Sequence, residues 1–256
     1  MIRFENIVKN FDGKTVLDDI SFEVEKGETF VIVGLSGAGK SVTLKHMIRL
    51  MRPDSGCVKI DGEAIETLSK HPLEKVRSKF GVLFQSSALL QWMSVRDNVA
   101  LPLREHTALS ETEILKRVDE KLLMLGLEDA REKFPADLSG GMRKRVGLAR
   151  AIIMNPEIVL YDEPTSGLDP VTSRRIDHLI LQMRKELGIT SVVVTHDLHS
   201  ALSIGTRIMM LHHGKIVENA PPKDFIHSKN ETVQSFLASQ YITKRGAWER
   251  GIDYDK

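Results

Sequence analysis

Eight residues near the start of the chain carry the strongest chemical signal. Gly34-Leu35-Ser36-Gly37-Ala38-Gly39-Lys40-Ser41 fits the pattern G-x-x-x-x-G-K-[ST], which needs a strand before it and a helix after it. Glycines let the backbone curl until successive N–H groups point inward at phosphate oxygens. The following helix adds the positive end of its dipole. Lys40 supplies a mobile cation for β- and γ-phosphates, and the Ser41 hydroxyl is a ligand for Mg²⁺. The competing reading is a glycine-rich structural loop.

Three further sets of residues matter beside that loop. Asp162-Glu163 follows an apolar run. A carboxylate at a strand end can hold Mg²⁺ through its water shell, and its neighbour can orient or deprotonate an attacking water. Alone, such a pair is ordinary loop charge. His196 follows a third apolar run and, as one of a set, reads as a γ-phosphate contact rather than a structural histidine. Leu138-Ser139-Gly140-Gly141-Met142 precedes a helical pattern and reads as a second anion-binding helix start, with a plain serine N-cap as the alternative. Two phosphate cradles about 100 residues apart are more than one nucleotide needs. The second is expected to complete the pocket of another copy of the chain.

Positioning these groups requires strands that end where they begin. Thr29-Phe30-Val31-Ile32-Val33, Ile158-Val159-Leu160-Tyr161 and Ser191-Val192-Val193-Val194-Thr195 are short β-branched or apolar runs, each stopping at polar residues. They alternate with helical patterns, the signature of an α/β fold with a mostly parallel sheet. A helix is expected from Gly39 to about Met51, and another from Arg143 to Met154 with Val146, Ala149 and Ile153 apolar. Ser110 and Glu113 have capping-box spacing, with Ile114, Val118 and Leu122 behind them. Pro170 suits a first helical turn, followed by Ile176, Ile180, Met183 and Leu187. The first 30 residues read instead as short antiparallel strands, with Phe22 and Val24 alternating against Glu23 and Glu25. Residues from about 90 to 150 are mainly helical and read as an inserted subdomain.

Composition limits the function classes. With 36 basic and 35 acidic residues in 256, the formal net charge is +1, which gives no support to a nucleic-acid partner held by a bulk basic field. The single cysteine, Cys57, excludes an internal disulfide and fits a reducing compartment. No apolar run approaches the length of a spanning helix, and the N-terminus lacks the pattern of a signal peptide. Any service to a membrane is therefore expected from the side, through a partner.

Taken together and in order, the motifs resemble the ATPase subunits of ABC transporters over about residues 1–240. The resemblance implies a P-loop NTPase core of ABC type, with an N-terminal antiparallel β-subdomain and the helical insertion. It implies ATP and Mg²⁺ as ligands and an ATP-sandwich dimer. Nucleotide contacts would come from Gly34 to Val42, that is Gly34, Leu35, Ser36, Gly37, Ala38, Gly39, Lys40, Ser41 and Val42, and from Gln85 in the Q-loop. In the partner copy, Ser139, Gly140 and Gly141 of the signature would face the same ATP. Phe11 stands where the family stacks an aromatic on adenine, replacing the commoner Tyr. Ser41, Gln85 and Asp162 would serve Mg²⁺, Glu163 the water, and His196 the γ-phosphate. Ser166-Gly167-Leu168-Asp169 matches the D-loop. Met142 stands where many members have Gln.

Phe84 to Leu90, Val99 to Thr107, the signature and Tyr161 before Asp162-Glu163 are similar to the MlaF subgroup. That finer resemblance implies phospholipid traffic between the membranes of a diderm bacterium, with a MlaE-type permease docked near residues 85–107. It further implies an MCE-domain lipid binder and room for a small regulatory subunit. Arg104-Glu105-His106 is otherwise a solvated loop. A non-transport ABC ATPase would keep the motifs but carry long coiled coils or tandem domains. A P-loop kinase or GTPase would not need Ser139-Gly140-Gly141, and a regulatory module would be expected to lack Glu163 or His196. The tail, residues 241–256 with Trp248 and Tyr254, is expected to reach across to the second ATPase subunit.

Overall fold

The computed structural model describes residues 1–240. The expectation for the 241–256 tail lies outside the described residues. Two sheets carry the fold. The N-terminal one is antiparallel and contains β1 (Ile2–Phe11), β2 (Lys14–Val24), β4 (Ser55–Ile60) and β5 (Glu63–Ala64), in the order β2-β1-β4-β5. Its alternation is as the sequence predicts, since Phe22 and Val24 are buried while Glu23 and Glu25 are exposed.

The second sheet has six strands: β3 (Thr29–Val33), β6 (Phe80–Leu83), β7 (Ile158–Asp162), β8 (Thr190–Thr195), β9 (Arg207–His212) and β10 (Lys215–Ala220). Their order is β10-β9-β3-β8-β7-β6, parallel throughout except for the β9–β10 hairpin. Both faces are covered, which is why the central strands are continuously apolar rather than alternating. Phe30, Ile32, Leu160, Val192 and Val194 pack toward the antiparallel sheet and its helices. Val31, Val33, Val159, Tyr161 and Val193 pack toward the opposite, helical layer. One strand thus feeds two cores on alternate residues.

The helices are α1 (Lys40–Met47), α2 (Lys70–Arg77), α3 (Val95–His106), α4 (Glu111–Met124), α5 (Gly140–Ile152), α6 (Pro170–Leu187), α7 (Leu198–Ile204), α8 (Pro222–Phe225) and α9 (Glu231–Ser239). The inserted helical subdomain is α3 to α5. The capping box of α4 forms as expected: Ser110 Oγ accepts from Glu113 N, and Glu113 Oε2 accepts from Ser110 N at 2.9 Å. Among the described residues no helix is long and apolar enough to cross a membrane.

Several boundaries differ from expectation for local reasons. α1 stops at Met47 because Arg49 turns into left-handed backbone, φ 48°. α5 starts at Gly140, so both signature glycines lie inside its first turn. Leu187 at the end of α6 is exposed, unlike Ile176, Ile180 and Met183. Arg104-Glu105-His106 is the last turn of α3, not a loop, and Arg104 is held by Asp97 and Glu111 at 3.0 and 2.5 Å.

Candidate functional site

Strand order assembles the site. β3, β8, β7 and β6 are consecutive neighbours. Their carboxyl ends run into Gly34, His196, Asp162-Glu163 and Phe84-Gln85 respectively, so four distant stretches meet along one edge. Open parallel sheets place ligands beyond that edge. An open cleft of about 890 Å³ lies there, and its walls include Phe11, Lys40, Ser41, Gln85, Glu163 and His196.

The loop from Gly34 to Gly39 has the backbone that only glycine tolerates. Gly34 has φ 152° and a Cβ there would sit 2.3 Å from the Leu211 carbonyl oxygen; Gly39 has φ 101° and a Cβ would meet Leu17 Cδ2 at 2.6 Å. Gly37, at φ 80°, has nothing within 4 Å of a Cβ position, which leaves its face of the loop open to a ligand. Leu35, Ser36 and Gly37 are exposed along the cleft, whereas Ala38 packs into the core as structural support. Val42 lines the cleft one turn into α1.

Lys40 is buried at 7% exposure. Its Nζ donates to the carbonyls of Gly34 at 2.9 Å and Leu35 at 3.1 Å and lies 3.7 Å from Glu163 Oε1. Burial lowers its pKa from the usual lysine value, and the charges of Glu163 and Asp162 oppose that shift. Ser41 Oγ donates to Asp162 Oδ1 at 2.8 Å. A hydroxyl and a carboxylate at one point form a hard oxygen pair, which suits Mg²⁺ held mainly by nucleotide phosphates and water. The pair therefore fits the ion the motifs imply.

Glu163 is buried at 8% exposure and sits in left-handed backbone, φ 49°. That is uncommon for a non-glycine residue and is often kept at functional sites. Its N–H donates to the Val194 carbonyl at 2.9 Å. Its Oε2 lies 2.7 Å from His196 Nδ1 and accepts from the His196 backbone N–H at 3.4 Å. The carboxylate is thus aimed between Lys40 and His196, at the mouth of the phosphate loop.

Phe11 is 38% exposed, with Lys9 Nζ 5.4 Å from its ring centroid. The ring is one wall of the cleft.

Ser139, Gly140 and Gly141 are not among the residues lining this cleft. Ser139 is an exposed N-cap, its Oγ accepting from Met142 N at 3.3 Å. Gly141 is buried, and a Cβ there would meet Thr172 Cγ2 at 2.4 Å. Packing against α6 is thus one reason for that glycine, beside any role toward an anion.

A family model described as ABC transporter matches residues 17–166. The probable ribonucleotide transport ATP-binding protein mkl of Mycobacterium leprae is 40% identical over 248 residues, covering 97% of this chain and 72% of that protein. The chain belongs to the ABC transporter ATPase family. This ABC ATPase is also 43% identical over 246 residues to the methionine import ATP-binding protein MetN 1 of Listeria innocua, covering 94% of this chain and 72% of that one. Among solved structures, a dimeric ATP-binding cassette in a post-hydrolysis state with ADP and Pi matches with a TM-score of 0.80 at 35% identity, covering 87% of this chain and 99% of the other. ATP hydrolysis with Mg²⁺ is the chemistry of this ABC ATPase, and its architecture is the cassette fold.

Two groups of residues at the site escape a reading of motifs. Phe236, Ser239 and Gln240 from the end of α9 line the cleft. Gln240 brackets the His196 segment: its Nε2 donates to the His196 carbonyl at 2.6 Å and its Oε1 accepts from Leu198 N at 2.8 Å. The helical spacing of Val233, Phe236 and Leu237 predicts a packed helix, but only the fold reveals what it packs beside. The second group is Lys144, whose Nζ donates to the carbonyls of Gln85 and Glu163. Nothing about a lysine in a helix of basic residues distinguishes it in the sequence.

Proposed function

We propose that this ABC ATPase works as a pair of copies. Each ATP would be held between the phosphate loop of one copy and Ser139 to Gly141 of the other. The observation that carries this reading is the separation of the two halves within one chain: the cleft is walled by Leu35 to Gly37, Gly39 to Val42, Gln85, Glu163 and His196, while Ser139 is exposed outside it. In that arrangement Lys40 exchanges the Gly34 and Leu35 carbonyls for β- and γ-phosphate oxygens. Ser41, Asp162 and Gln85 would hold Mg²⁺, which would neutralise phosphate charge. Glu163 takes the proton of the attacking water, and His196 steadies the γ-phosphate. Phe11 stacks on adenine. ATP acts as an interfacial ligand that closes the pair, and hydrolysis releases it. Sedimentation of the full chain with Mg²⁺-ATP tests the pairing: a Glu163→Gln protein that stays monomeric at saturating ATP contradicts it.

As its cargo we propose phospholipid, moved between the two membranes of a diderm bacterium through a MlaE-type permease with an MCE-domain protein, and a small regulatory subunit as a further partner. The ATPase unit would span residues 1–240 and sit on the cytoplasmic face of the inner membrane. The subgroup pattern across 84–107 supports this reading. Trp92, 75% exposed, and Phe84, 39% exposed, offer apolar surface in that segment for a permease. The names of the relatives, a ribonucleotide transporter and a methionine importer, favour a second reading as the ATPase of a small-solute importer. Purification as a complex with its partner permease separates the two. ATPase activity stimulated by phospholipid and indifferent to methionine and ribonucleotides supports lipid transport, and the reverse pattern overturns it.

A further inference from the structure

Lys144 is a buried cation that the phosphate chemistry above leaves unused. It lies one turn beyond the signature glycines on α5 and is 5% exposed. Its Nζ donates to the backbone carbonyls of Gln85 at 2.5 Å and Glu163 at 3.0 Å. Burial lowers its pKa, partly offset by the charges of Asp162 and Glu163. An ammonium group without a bonded carboxylate is costly to bury, so what it touches is informative.

One carbonyl belongs to a residue in left-handed backbone and the other leads into such a stretch. Glu163 itself has φ 49°, and the loop after Gln85 passes through left-handed backbone at Ser87, φ 63°, and Ala88, φ 47°. Glu163 N–H is held by Val194, and its carbonyl also accepts from Ser166 N at 3.2 Å. Lys144 adds a side-chain anchor to that same carbonyl, behind the carboxylate. α5 grips the 85–88 loop elsewhere too. A Cβ on Gly147 would come 2.9 Å from Leu83 Cδ1 and 3.1 Å from Ser87 Cβ, so glycine there permits close approach. Arg150 donates to the carbonyls of Ser87 and Ala88, each at 2.8 Å. Of these α5 contacts, Lys144 is the one that continues to Glu163.

We propose that Lys144 is a positioning residue: by tying the carbonyls of Gln85 and Glu163 to one point on the signature helix, it sets the aim of the Glu163 carboxylate and makes that aim depend on where the 85–88 loop sits. The inference rests on the assignment of Glu163 to the attacking water. Without Lys144, Glu163 keeps its bonds to Val194 and Ser166 but loses the anchor shared with the loop. A displacement of the carboxylate on the scale of an ångström costs rate rather than binding. The phosphate contacts of Lys40 and Ser41 do not run through Lys144, so nucleotide affinity is preserved.

Lys144→Met removes the donors but keeps an apolar stem; Lys144→Gln keeps two N–H donors without charge. In the full chain we expect Lys144→Met to lower kcat about tenfold or more while affinity for a fluorescent ATP analogue stays within about twofold. Lys144→Gln should return kcat to within about threefold of the parent. Lys144→Met at the parental kcat overturns the proposal. So does a folded Lys144→Gln with parental ATP affinity but kcat down by more than about tenfold, whether or not Lys144→Met folds. Glu163→Gln is run alongside. Parental turnover there removes the assignment on which the inference rests, whereas an inactive Glu163→Gln with a fully active Lys144→Met overturns the inference alone.

Discussion

At the phosphate loop and at the signature, the same device ends differently. Both place glycines and a hydroxyl residue at a helix start. Around Gly37 to Ser41 the chain supplies everything else itself: a buried lysine, two carboxylates from the next-but-one strand, a histidine from the strand between, and a cleft of about 890 Å³. Around Ser139 it supplies an exposed N-cap, a glycine packed on Thr172, and Arg143, whose guanidinium is turned back onto the Leu138 carbonyl. A helix N-terminus alone is a weak anion site; the charged groups gathered around it decide whether it does chemistry. In the proposed pair, the signature is half of a site whose other half lies on a second copy.

The largest expected effect falls on the complete half. Glu163→Gln keeps shape and hydrogen bonding but removes the negative charge, so turnover should fall by about 10²–10⁴-fold with ATP binding retained. ATPase rate and nucleotide titration on one preparation check it; near-parental hydrolysis removes Glu163 as the base.

Ser139→Arg attacks the other half. Each chain should still bind ATP, since its own cleft is untouched, but hydrolysis should stop because bulk and charge prevent closure on the γ-phosphate. Mixing Ser139→Arg with Glu163→Gln sharpens the comparison. A mixed pair holds one site with both a normal Glu163 and a normal Ser139, so activity should return. No recovery on mixing contradicts sharing between copies.

Lys40→Ala should weaken ATP binding by about 1.5–3 kcal/mol, the value of a charge-assisted contact. The lower end is expected, because Lys40 gives up bonds to Gly34 and Leu35 when it turns to phosphate. Fluorescent-nucleotide titration decides, and unchanged affinity breaks the phosphate-loop reading.

The smallest effect concerns a buried acid beside the site. Asp177 on α6 accepts from Ser200 Oγ at 2.5 Å, and burial pushes its pKa up to about 6 from 3.8. The folded state therefore binds the proton more tightly than the unfolded one. Rising pH across that interval costs stability, and the loss is complete above the folded pKa. Asp177→Asn should raise stability by up to about 2 kcal/mol at pH 8 and progressively less toward pH 4. Thermal unfolding at those two pH values checks it; an equal shift at both assigns the effect to something other than ionisation.

How much of this was legible in the residues follows from how local each feature is. The loop at 34–41, the three strands, the capping box of α4 and Pro170 at the start of α6 depend on backbone conformation and on neighbours within a few positions. They are written in residue types, and the structure keeps them. Helix ends are less legible, because a single left-handed residue such as Arg49 halts α1 although its residue type does not announce it. Leu187 fits the helical period of α6 yet lies beyond the surface that α6 buries.

Residue types and spacing alone set the chemistry available: a phosphate loop, a carboxylate pair, a histidine and a second glycine-serine helix start. Which of these groups meet depends on how the sheet is assembled. Strand order β3-β8-β7-β6 put Lys40, His196, Glu163 and Gln85 on one cleft and left Ser139 outside it. It also brought in Gln240 and Lys144, which act through backbone carbonyls. A carbonyl is present at every residue, so a side chain that recognises one leaves no mark in the sequence of its partner; the contact exists only once the chain has closed around it.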